Sequence, residues 1–135
     1  MIGGTLTAKS SSFNYNNAET AAGIFATQQA FLDLEDCIFE QNAAEADAGV
    51  IYASNSKIHA NNLYFKSNSA AQDGAAIFLS GTQTVVRVDN STFESNLAET
   101  GNGGALFCEN GAKFQATNTS FEFNKVSTYA ANLTE

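Results

Sequence analysis

The chain has 135 residues, 44% of them apolar, with 11 Phe and neither Pro nor Trp. That length and apolar content suit one packed domain spanning 1–135 and exclude general disorder. A formal net charge of −8 with no basic run argues against a nucleic-acid partner, and no window reaches the roughly 20 apolar residues of a membrane span.

In chain order, the first marked segment is Gly3-Gly4-Thr5-Leu6, a small-residue step leading to an apolar residue. Phe13-x-x-Asn16 follows, then a second step, Ala22-Gly23, leading to Phe25. Leu32 and Leu34 alternate with polar residues, as on a half-buried strand. Cys37 then precedes Phe39-x-x-Asn42, and the step Ala48-Gly49 leads to Ile51. The same phrase returns as Ile58, Ala60, Leu63, Phe65-x-x-Asn68, Gly74-Ala75 and Ile77. It returns again as Val86, Val88, Ser91, Phe93-x-x-Asn96, Gly103-Gly104 and Leu106. The last copy reads Phe114, Ala116, Thr119, Phe121-x-x-Asn124, Ala130-Ala131 and Leu133. The Phe anchors are spaced 26, 26, 28 and 28 residues apart.

Each copy therefore holds three short alternating segments, separated by Gly, Asn, Asp and Ser. So short a unit cannot bury its own core, but stacked copies can, each strand pairing with its equivalent one coil away. The predicted fold is all-β: a right-handed parallel β-helix (β-solenoid) of about five coils with roughly 26–28 residues per coil. The predicted core column is Phe13, Phe39, Phe65, Phe93 and Phe121, beside Leu32, Ile58, Val86 and Phe114. Asn16, Asn42, Asn68, Asn96 and Asn124 form a structural column at a corner, where the amide can serve orphaned backbone groups and its neighbours above and below. A second polar column is Asp36, Asn62, Asn90 and Asn118, and the Gly/Ala steps mark a third corner.

Phe93-Glu94-Ser95-Asn96 followed by Gly103-Gly104-Ala105-Leu106 resembles the repeat of bacterial polymorphic outer-membrane proteins. The resemblance extends over nearly the whole chain. It departs where Ala replaces one or both glycines, and in the first copy, where the steps at Gly3 and Ala22 stand only 19 residues apart. It implies a surface-displayed β-helical module linked to adhesion.

The sequence holds few groups suited to catalysis. His59 and Arg87 come nearest to a pair: both are expected to point outward, 28 residues apart and one residue out of stacking register, a separation compatible with neighbours on adjacent coils. No catalytic residue, metal or cofactor is assigned. Glu19, Glu45 and Glu99 recur three residues after the anchor Asn, with Asp47 and Asp73 nearby, but Ala71 interrupts any Ca²⁺-binding column, and a solvated loop is the expectation. Sequons at Asn90, Asn118 and Asn132 offer glycosylation sites; the first two fall in the second polar column, where burial at a corner would prevent it. Cys37 and Cys108 are expected to be free, Cys37 buried. Thr82-Gln83-Thr84 is not repeated in register and carries no role.

The functional expectation is a non-enzymatic structural protein, an extracellular or cell-surface rod, filament or adhesin module. Its partners would be copies of itself stacked end to end or neighbouring coils of a longer chain, with a host-surface or glycan ligand as a further partner. The alternative is a carbohydrate-binding or polysaccharide-degrading β-helix module using outward Tyr15, Tyr64 and Phe123, with Gln41, Ser67 and Ser95 interrupting the Tyr15–Phe123 column.

Overall fold

The computed structural model describes residues 1–127. They form a β-solenoid of about five turns, with strands in four parallel sheets and no helix among the described residues. Sheet I stacks Thr5–Lys9, Phe31–Glu35, Lys57–Asn61, Val85–Asp89 and Lys113–Thr117. Sheet II stacks Ser12–Asn14, Ile38–Glu40, Tyr64–Lys66, Thr92–Glu94 and Ser120–Glu122. Sheet III is built of the pairs Asn17–Ala18, Ala43–Ala44, Ser69–Ala70, Leu97–Ala98 and Lys125–Val126. Sheet IV stacks Ile24–Ala26, Ile51–Ser54, Ile77–Ser80 and Leu106–Glu109.

Sheet III is the segment that alternation alone misses. Two residues are too few to show a period, yet they pair in register, Ala70 against both Ala44 and Ala98. Two register expectations also change. Gly3-Gly4 is not a copy of the step before sheet IV. It lies at the corner entering sheet I, where the Gly3 N–H donates to Thr27 O and Leu6 aligns with Leu32. In the next step, Ile24 rather than Phe25 joins Ile51, Ile77 and Leu106, because the first copy is one residue shorter there.

The core is one continuous cluster running along the stack. Its inward columns include Leu32, Ile58 and Val86, then Leu34, Ala60 and Val88, all buried. The sharp corners require left-handed backbone at equivalent places: Ala21, Ala48, Gly74 and Gly103 all have φ between 52° and 66°. Gly49, next in sequence, is needed for a different reason. A Cβ there would lie 1.9 Å from the Ala75 carbonyl oxygen and 2.6 Å from that of Ser69. Both obstacles are backbone of the next coil and cannot rotate away. Gly49→Ala is therefore expected to cost about 3 kcal/mol, near the top of the usual range for overpacking. Gly23→Ala, whose nearest obstacles are Val50 atoms at 3.0 and 3.1 Å, should cost less. Urea melts of the two variants check the order.

Candidate functional site

The five anchor Phe rings stack face to face along the axis. Centroids are 4.9 Å apart for Phe13–Phe39, 4.7 Å for Phe39–Phe65, 4.6 Å for Phe65–Phe93 and 4.8 Å for Phe93–Phe121. Their spacing is that of adjacent strands, about 4.8 Å, so in-register pairing itself places each ring on the next. Phe39, Phe65 and Phe93 are fully buried, whereas Phe121 in the last coil is half exposed.

Beside the rings runs an amide ladder. The Asn42 backbone N–H and Nδ2 both donate to Asn68 Oδ1 at 3.0 Å, and Asn68 makes the same pair of bonds to Asn96 Oδ1. Asn16 donates likewise to Asn42, and Asn96 to Asn124. The second Nδ2 hydrogen reaches back to the preceding coil: Asn68 donates to Phe39 O at 3.0 Å and Asn96 to Phe65 O at 3.1 Å. Each interior amide thus uses two donors and accepts twice, meeting the corner N–H groups that no strand partner can reach. Aspartate lacks the donors. The Asn-to-Asn bonds also have a direction, each amide donating to the Asn one coil nearer the C-terminus.

The second polar column is a correction. Asp36, Asn62, Asn90 and Asn118 are exposed, not buried. They hold φ between 48° and 55°, the left-handed conformation that Asn and Asp tolerate best among non-glycine residues. Side-chain bonds join Asn62 Nδ2 to Asp36 Oδ1 at 2.7 Å and Asn118 Nδ2 to Asn90 Oδ1 at 3.4 Å. The sequons at Asn90 and Asn118 are therefore reachable from solvent; Asn132 lies outside the described residues, as do the step Ala130-Ala131 and Leu133.

His59 and Arg87 are neighbours on adjacent coils of sheet I, and the correction is to their register, which is exact and not one residue out. The turn at Gly81–Thr84 absorbs the two residues by which 28 exceeds 26; there the Thr84 N–H donates to Gly81 O and its hydroxyl to Ser80 O. His59 Nδ1 lies 3.4 Å from Asp33 Oδ1, with both side chains largely exposed. On this open sheet face neither residue is enclosed with a nucleophile.

The candidate sugar-binding aromatics are not brought together. Tyr15 and Phe123 are 71% and 79% exposed, at opposite ends of one corner column. Tyr64 sits within sheet II, where its hydroxyl donates to the Glu94 carboxylate, a bond that raises the phenol above the usual tyrosine range. A second aromatic column was hidden in the apolar pairs after each step. Phe25, Tyr52 and Phe78 stack at 4.8 and 5.1 Å on the side of sheet IV away from Ile51 and Ile77, and Phe107 follows at 5.4 Å, tilted by 35°. Phe78, Tyr52 and Phe107 pack with Ala21 and Ala48 in a satellite cluster.

Ala71 falls between the rows of Glu45 and Glu99, and Asp47 and Asp73 accept backbone N–H bonds from the next coil instead. No group of three or more His, Cys, Asp or Glu placed to hold a metal is present among the described residues. Both cysteines are free. Cys37 is buried, while Cys108 stands over Leu79 in the last coil, with partial burial raising its thiol pKa.

Two stretches, residues 62–80 and 90–109, match the family model of the Chlamydia polymorphic membrane protein repeat. Each match begins at a corner Asn, Asn62 or Asn90, passes through the Phe and Asn columns, and ends with the strand of sheet IV. These two stretches are thus similar to repeats of the polymorphic membrane protein type. No curated protein and no solved structure matches the chain.

Proposed function

We propose that the chain is a non-enzymatic structural module of an extracellular or cell-surface β-solenoid rod, an adhesin-type passenger whose coils continue end to end. The continuation is either more coils of a longer chain or a second copy. The observation that carries this reading is the direction of the Asn ladder. Oδ1 of Asn42, Asn68, Asn96 and Asn124 each accept two bonds, whereas Asn16 Oδ1 accepts none among the described residues. At the other end the Asn124 backbone N–H, in the same column, has no acceptor among the described residues. A head-to-tail contact would join these two ends, and a heterologous contact of that kind propagates instead of closing. The matched repeat supports surface placement, since it is named for a membrane protein.

Electron microscopy of the purified chain tests assembly. Filaments with an axial repeat of about 24 Å, five strand spacings, are expected if copies stack. Monodisperse single chains at every concentration would eliminate stacking between copies and leave only continuation within a longer chain.

A further inference from the structure

The outer face of sheet I concentrates positive charge in a strongly acidic chain. Of the six Lys and Arg residues, four lie there: Lys9, Lys57, Arg87 and Lys113, each exposed. Lys9 is taken by Glu35 at 2.7 Å. Lys57, Arg87 and Lys113 have no acidic partner among the described residues, although the chain holds 14 Asp and Glu. These cations are a local exception to the net negative charge of the chain.

Their layout follows the solenoid axis. Lys57, Val85 and Lys113 occupy one column, and His59 and Arg87 are neighbours in the next outward column. Lys57 and Lys113 stand two strand spacings apart, about 9.6 Å. The same outward face also carries Asp33, against His59, Glu35, against Lys9, and Asp89, one column beyond Arg87. Exposed Phe31 and Val85 border the same cations. A shallow groove of about 490 Å³ starts at Gln29, Asn55 and Gln83 and shares Phe31, Lys57 and Val85 with the hollow that reaches Arg87 and Lys113. The result is a continuous trough with amides at one side, an apolar floor, and cations spread over three coils.

We propose that this trough binds an acidic polysaccharide, sulfated or carboxylated, lying along the solenoid axis. An extended polyanion meets cations spaced over three coils, as a single phosphate would not. The ring faces of sugars pack on Phe31 and Val85, and their hydroxyls meet the Gln29, Asn55 and Gln83 amides. Binding here needs only the sheet face and is independent of end-to-end assembly.

The test is retention of the described chain on immobilised heparin, polygalacturonate and neutral dextran over a salt gradient. Retention by at least one polyanion but not by dextran is expected, with elution as salt rises. The variant Lys57→Gln/Arg87→Gln/Lys113→Gln should bind the polyanion at least about tenfold more weakly at an unchanged melting temperature, since all three side chains are exposed. Lys66→Gln/Lys125→Gln, on sheets II and III, should bind like the parent. Failure to bind either polyanion, or equal loss in both variants, overturns the proposal. So does binding to phosphatidylserine vesicles without polysaccharide binding, or charge-dependent self-association without it; these would give the trough to a membrane or to a second copy.

Discussion

Asn68→Ala is expected to destabilise the fold by about 3–5 kcal/mol, more than a typical buried polar truncation, because one side chain serves four partners. Its removal strands the Asn42 backbone N–H and one of the two Asn42 Nδ2 hydrogens, both of which donate to Asn68 Oδ1, while the other Nδ2 hydrogen keeps Phe13 O. It also takes one donor from the Phe39 carbonyl and one from Asn96 Oδ1. Asn42, Asn68 and Asn96 are fully buried, so solvent does not replace those bonds without entering the stack. Asn68→Asp separates bonding from volume. The carboxylate fills nearly the same space, yet offers no hydrogen to Phe39 O or Asn96 Oδ1. A melt as low as that of the alanine variant is expected at neutral pH. An aspartate variant with parental stability would show that the donors contribute nothing.

Phe65→Ala is expected to cost about 3–5 kcal/mol, the range for truncating a buried aromatic. Phe65 is fully buried and sandwiched, 4.7 Å from Phe39 and 4.6 Å from Phe93. The cavity cannot close readily, because the backbone above and below is fixed by in-register pairing on both sides. Phe121→Ala should cost less, since that ring is 47% exposed. Equilibrium urea unfolding of the two variants checks the contrast; equal losses would mean that burial does not grade the column.

These effects explain why the fold is legible in the residues. A Phe that must stack on its equivalent, and an Asn that must bond its equivalent, recur at every coil, and recurrence is visible without coordinates. Features that depend on backbone angles were less legible. The exposed corner at Asp36, Asn62, Asn90 and Asn118 reads as a buried ladder from spacing alone, because polar residues recur there too. What distinguishes it is left-handed backbone with an outward side chain. Sheet III was hidden because Ala43–Ala44 and Ser69–Ala70 are too short to alternate. The register of His59 and Arg87 was misread because of the insertion at Gly81–Thr84, which brings the strands back into step before sheet I begins. The trough was illegible for a further reason: Lys57, Arg87 and Lys113 are scattered singly in sequence, and only parallel stacking gathers them on one face.

The stacking of coils is tested most directly by backbone proton contacts in an NMR spectrum of the chain. The predicted contacts join Phe39 to Phe65 and Phe65 to Phe93, one strand apart in space and 26 and 28 residues apart in sequence, like the neighbouring Asn pairs. Sheet contacts between successive strands of a hairpin, or the short-range amide contacts of helices in these segments, would contradict it.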